Sequence, residues 1–127
     1  MQEYHQFYIN GEWVDPVTPQ TLEVINPATE QPFATISMGS AADVEKAVAA
    51  ASAAFETFSQ TTVAERVELL GAILAEYTKR YDEIAAAIST EMGAPIWLSK
   101  AAQAATGQAH FATTLEILKN FEREEQI

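Results

Sequence analysis

Residues 7–14 read Phe7-Tyr8-Ile9-Asn10-Gly11-Glu12-Trp13-Val14. Asn10 and Gly11 both tolerate the positive φ of a type I′ turn, and apolar residues flank them, so the stretch reads as a two-residue β-hairpin. The turn sets the register: Ile9 faces Glu12, Tyr8 faces Trp13 and Phe7 faces Val14. Phe7, Ile9 and Val14 then share one face, and Tyr8 and Trp13 the other. Both faces carry large apolar groups, which a lone hairpin cannot bury.

Outward from the hairpin, a second pair of strands is predicted at Thr21–Ile25 and Pro32–Ile36. They are joined by the turn-rich Asn26-Pro27-Ala28-Thr29-Glu30. Strands are thus expected near 6–9, 12–15, 21–25 and 32–36. Upstream, Met1-Gln2-Glu3-Tyr4-His5-Gln6 is expected to be frayed, and His5 is given no role. That segment has neither a basic region nor an apolar run, so no secretory signal is read and a cytoplasmic location is expected.

Composition changes near residue 39. Four of the five Pro fall in residues 1–38, and the remainder is Ala-rich. The expected organisation is a β-hairpin arm over 1–38 and a helical segment over 39–127, an α+β chain that is mainly α. Four helices are predicted, at about 41–58, 63–80, 82–92 and 97–122. Ser40-Ala41-Ala42-Asp43 reads as a capping box with Asp in place of Glu, and Thr62-Val63-Ala64-Glu65 as a full one. Val44, Ala47, Val48, Ala51, Ala54, Phe55 and Phe58 form the stripe of the first helix; Val67, Leu70, Ile73, Leu74 and Tyr77 that of the second. Gly93 and Pro95 stop the third. In the fourth, Ala101, Ala104, Ala105, Gln108, Phe111, Ala112, Leu115 and Leu118 share one broad face, with Ile117 and Phe121 off it.

The 127 residues carry 18 Asp+Glu against seven Lys+Arg, a net charge of −11. That balance argues against nucleic acid and anionic membrane surfaces as partners, because both require clustered cations. No run of 18 apolar residues is present, so no spanning helix is expected. There is no Cys, which removes disulfides, thiolate metal sites and a cysteine nucleophile. His5 and His110 are the two His, too few for a multi-histidine site. No glycine-rich phosphate loop and no Gly-x-Ser-x-Gly elbow occurs. The carboxylate sets Asp82/Glu83, Glu45/Glu56 and Glu122/Glu124/Glu125 read as solvated surface. Glu91 differs: it sits one turn before the Gly93-Pro95 stop, where its charge opposes the helix dipole. A cation, a donor or solvent must offset that.

Five strings in order resemble the N-terminal part of the aldehyde dehydrogenase superfamily. Tyr8 to Val14 is similar to its opening hairpin. Val24-Ile25-Asn26-Pro27-Ala28-Thr29-Glu30 resembles its V-x-N-P-A-T-G-E segment with the Gly absent. Asp43 to Ala51 resembles its first helix, and Val63-Ala64-Glu65-Arg66 followed by Leu69-Leu70 its second. Ser89-Thr90-Glu91-Met92-Gly93-Ala94-Pro95 resembles its E-x-G-K-P helix end, with Ala94 where Lys is usual.

The resemblance implies a parent enzyme with an α/β fold, several times longer, that oxidises an aldehyde to a carboxylic acid with NAD or NADP. The family's cofactor turn, catalytic Cys and general-base Glu have no matching position here. This chain alone is therefore expected to be inactive and to hold no cofactor. The tail from Glu122 to Ile127 places three acids at a helix end, so an engineered or proteolytic boundary is expected there. Two sites carry over. A monovalent cation would lie between the Ile25 carbonyl and the Glu91 carboxylate. Ala102, Thr106 and His110, at i, i+4 and i+8, would line the mouth of the substrate tunnel. Exposed apolar faces imply a homo-oligomer. The alternative reading is a stand-alone acidic helical interaction or oligomerisation module without catalysis.

Overall fold

The structure, a computed structural model, describes residues 1–122; Glu124 and Glu125 of the acidic tail lie outside that range. The expected α+β character, mainly helical, is what it shows. The chain forms two compact units, Met1–Gln60 and a second beginning at Thr61.

In the first unit, β2 (Phe7–Ile9) and β3 (Glu12–Val14) pair in the expected register, with Phe7 opposite Val14 and Tyr8 opposite Trp13. Asn10 and Gly11 have φ of 55° and 82°, as the type I′ turn demands. The Phe7, Ile9 and Val14 face is half-buried. Tyr8 and Trp13 remain 63% and 66% exposed, with ring centroids 5.2 Å apart.

A separate three-stranded sheet has the order β1-β5-β4. Strand β4 (Thr21–Asn26) runs antiparallel to β5 (Gln31–Ser37). The expectation of a frayed N-terminus is corrected here: Gln2–Tyr4 form β1, parallel to β5, with Gln2 opposite Ala34 and Tyr4 opposite Ile36. The Ser37 hydroxyl donates to the His5 carbonyl at 2.8 Å, closing the end of this pairing. The partner strand is distant in sequence, so residues 1–6 carry no local sign of it.

Helix α1 (Ala41–Phe58) opens at the predicted box. Asp43 Oδ2 accepts the Ser40 N–H at 2.9 Å and the Ser40 hydroxyl at 2.7 Å. Its Oδ1 accepts the Val17 N–H at 2.9 Å, so the buried carboxylate also pins the loop before β4. The apolar stripe of α1 is not a core face in this unit: Val44, Val48, Phe55 and Phe58 are all exposed.

In the second unit, α2 (Val63–Lys79) has its full capping box, with Thr62 N–H to Glu65 Oε2 at 2.7 Å and Glu65 N–H to Thr62 Oγ1 at 3.2 Å. Arg80 alone separates it from α3 (Tyr81–Met92), which ends at Gly93 in the left-handed conformation, φ 72°. The expected single helix over 97–122 is corrected. A turn of helix, α4 (Ile96–Leu98), runs into a π-helical segment, Ser99–Gln103, and then into α5 (Ala104–Asn120). The π turn changes which residues face inward. Ala101, placed on the buried face by a uniform 3.6-residue period, is exposed, while Ser99 and Ala104 are fully buried. Ala112, also assigned to that face, is exposed.

Helices α2 and α5 meet where Tyr77 crosses Gly107. A Cβ on Gly107 would lie 2.9 Å from Tyr77 Cζ and closer still to its oxygen. Hydrogen in place of a side chain lets the Tyr77 hydroxyl reach the Ala104 carbonyl at 2.8 Å and its ring pack on Phe111. Buried apolar side chains are few among the described residues: Ala34, Ala85, Ala104 and Leu115. Large apolar groups stay in water in both units. Each forgoes about 1.5–3 kcal/mol of burial, the pattern of surfaces made to be covered. Among the described residues no helix is long and apolar enough to cross a membrane.

Candidate functional site

Ile25 is the penultimate residue of β4. The β4–β5 ladder has a register shift between Val24 and Ile25, after which Ile25 faces Pro32. Pro32 has no N–H, so the ladder position opposite Ile25 supplies no backbone donor. The following turn is tightly held. Asn26 Oδ1 accepts the Ala28 N–H at 2.9 Å, and the Asn26 carbonyl accepts the Glu30 N–H at 2.8 Å. Glu30 has φ 57°, in the left-handed region.

Glu91 is the penultimate residue of α3 and is exposed. The helix end beneath it is fixed by the Gly93 N–H to the Ser89 carbonyl at 3.0 Å and the Ser89 hydroxyl to the Ala94 carbonyl at 2.6 Å. Among the described residues the Glu91 carboxylate has no hydrogen-bond or ion-pair partner, so solvent meets the charge that opposes the dipole. Ile25 belongs to the first compact unit and Glu91 to the second.

Ala102, Thr106 and His110 are all exposed, the first in the π segment and the others on α5. The Thr106 hydroxyl donates to the Ala102 carbonyl at 2.8 Å, which ties the upper two positions together. The stripe is therefore presented on a helix surface, and packing does not hide it.

The carboxylates with clearly lowered pKa are Asp43 and Glu65. Hydrogen bonds from Ser40, backbone and side chain, and from the Val17 amide hold Asp43 down; those from Thr62 hold Glu65 down. Both are helix caps. Sequence reasoning marked them as caps, but Val17 as the second partner of Asp43 had no local signal. Each carboxylate also fills the helix N-terminus at which a phosphate would otherwise bind. Neither α1 nor α2 can cradle a dinucleotide pyrophosphate, and no glycine-rich turn stands elsewhere in the chain. Within the first unit an open cleft of about 430 Å³ lies between Phe7, Ile9, Gly39, Asp43, Val44 and Ala47. It is apolar, and its one carboxylate is already fully bonded.

Comparison with known proteins covers nearly the whole chain. The aldehyde dehydrogenase family matches over residues 13–126. A protein of Staphylococcus aureus (strain bovine RF122 / ET3-1), whose name places it among the aldehyde dehydrogenases, is 45% identical over 126 residues, 99% of this chain and 26% of its own length. The crystal structure of an aldehyde dehydrogenase from Bartonella henselae superposes with a TM-score of 0.97 at 44% identity, covering 100% of this chain and 27% of that one. A mutant aldehyde dehydrogenase C from Pseudomonas syringae, complexed with NAD+ and octanal, gives a TM-score of 0.94 at 39% identity, over 97% and 25% of the two chains. The chain spans about a quarter of the length of the curated relatives it matches.

Proposed function

This chain belongs to the aldehyde dehydrogenase family, and from that membership we propose that it is the N-terminal portion of an enzyme oxidising an aldehyde to a carboxylic acid. The observation that carries the reading is coverage. Relatives match 99–100% of this chain at 44–45% identity, yet the match occupies 26–27% of their length. NAD is the proposed hydride acceptor of the whole enzyme, since the Pseudomonas syringae relative was crystallised with NAD+.

The chain by itself is proposed to be catalytically silent. A thiohemiacetal needs a thiolate, and the sequence has no Cys. The proposed contribution of this portion is scaffolding and lining. Ile25 and Glu91 would supply a carbonyl and a carboxylate to a monovalent cation, the oxygen donors such an ion prefers. A Glu91 carboxylate without a partner among the described residues supports that assignment. Ala102, Thr106 and His110 would line the substrate entrance, and their shared exposure supports it. Exposed Tyr8, Trp13, Phe55 and Phe58 support self-association of the chain when it stands alone.

The test is the mass of the polypeptide in its source cells, read with an antibody raised against this chain. A product several times larger than 13.9 kDa, with NAD-dependent aldehyde oxidation in the immunoprecipitate, is expected. A 13.9 kDa product lacking that activity would instead make the chain a stand-alone acidic module.

A further inference from the structure

The Ala104 N–H donates to the Ser99 carbonyl, five residues back. In a continuous α-helix that amide would bond Lys100, four residues back. The π turn therefore skips one acceptor, and the skipped acceptor is the Lys100 carbonyl. The Tyr81 hydroxyl donates to that same carbonyl. The next residue, Asp82, holds the side chain of Lys100, with Nζ to Oδ1 at 2.8 Å. At the far end of the π segment, the Tyr77 hydroxyl bonds Ala104, the first residue of α5, across the gap left by Gly107. Inside the segment, the buried Ser99 hydroxyl donates to Gln103 Oε1 at 3.1 Å. Both ends of the irregular turn are thus bonded to hydroxyls that come from the α2–α3 junction.

We propose that Tyr81 is a positioning residue whose hydroxyl, by satisfying the carbonyl that the π turn orphans, selects the π register over a continuous α-helix. Two registers compete. The α register satisfies Lys100 with a backbone amide; the π register, of poorer geometry, leaves it open. A side-chain donor at that one carbonyl removes the advantage of the α register. Resetting the helix by one residue would turn everything before the segment by about 100° relative to α5. Trp97 and Lys100 would leave their present directions, and the surface beside Ala102 would change. Tyr81 thereby governs which side chains share the exposed face of the helix.

Through-hydrogen-bond couplings in the 15N,13C-labelled chain read the register directly. In the unaltered chain the Ala104 nitrogen should couple to the Ser99 carbonyl carbon, and in Tyr81→Phe to that of Lys100. Retention of the Ser99 coupling in Tyr81→Phe overturns the proposal. A stability cycle supplies an independent reading. Deleting Ala101 brings Ser99 four positions before Ala104, so no carbonyl is skipped. Tyr81→Phe should lower the folding equilibrium constant about two- to tenfold in the unaltered chain and leave the deleted chain unchanged. Equal losses in both backgrounds would reduce the hydroxyl to ordinary packing and overturn the assignment. If Tyr81→Phe alone does not fold, refolding on deletion of Ala101 supports the proposal, and failure to refold refutes it.

Discussion

Oδ1 of Asp43 accepts the backbone N–H of Val17 at 2.9 Å, from 26 residues earlier in the chain. The other oxygen, Oδ2, takes the two donors of Ser40. Both oxygens therefore face N–H or O–H donors, and a carboxylamide cannot replace the carboxylate, because its NH₂ would point at a donor. Asp43→Asn should lower the thermal midpoint by at least as many degrees as Asp43→Ala. An Asn variant as stable as the parent would show that the donors of Ser40 and Val17 do not all need a carboxylate oxygen at once.

Acid should weaken the same joint. The folded-state pKa values of Asp43 and Glu65 are lowered, Asp43 by hydrogen bonds from Ser40 and Val17, Glu65 by those from Thr62. The unfolded chain therefore binds protons first as pH falls. The stabilisation is complete above the unfolded carboxylate values, near about 4, and is lost as pH drops through them towards the lower folded values. Urea midpoints between neutral pH and pH ~2.5 should fall in that window, with a shallower slope in Asp43→Ala. Equal slopes in the two proteins would contradict the assignment.

Glu30 occupies a glycine conformation at φ 57°. Glu30→Gly should stabilise the β4–β5 turn by about 1 kcal/mol, relief of the left-handed penalty outweighing the extra entropy of Gly. Chemical denaturation measures it directly, and a destabilised variant would mean that the Glu30 side chain holds something in the turn.

Two helical glycines should respond with opposite signs. Gly71 in α2 has nothing within 4 Å of a prospective Cβ, whereas Gly107 meets the Tyr77 ring. Gly71→Ala should gain roughly 0.5–1 kcal/mol from helix propensity. Gly107→Ala should lose about 1–3 kcal/mol from overpacking. Calorimetry on the pair would check this, and a shared sign would remove the steric explanation.

The elements legible from sequence are those with signals written within a few residues. Asn10-Gly11 specified a hairpin and its register. Ser40 with Asp43, and Thr62 with Glu65, marked two helix starts, and Gly93 marked a stop. What escaped depends on partners far along the chain. Strand β1 is three exposed residues that become a strand through β5. The π segment lies in an alanine-rich run whose apolar spacing fits a uniform helix, while the hydroxyl to which its register is assigned comes from Tyr81, on another helix. The candidate site was legible only through resemblance. Nothing in the local chemistry of Ile25, or of Ala102 with Thr106 and His110, distinguishes them from ordinary strand and helix surface.

Strand β1 also bears on how the polypeptide is made. His5 and Ser37, which close the parallel pairing, are 32 residues apart, and a ribosome adding about 5–20 residues per second takes seconds to span them. Through that interval residues Gln2–Tyr4 have no strand to join. Docking of Gln2–Tyr4 therefore waits on the synthesis of β5, although the residues themselves are made well before it.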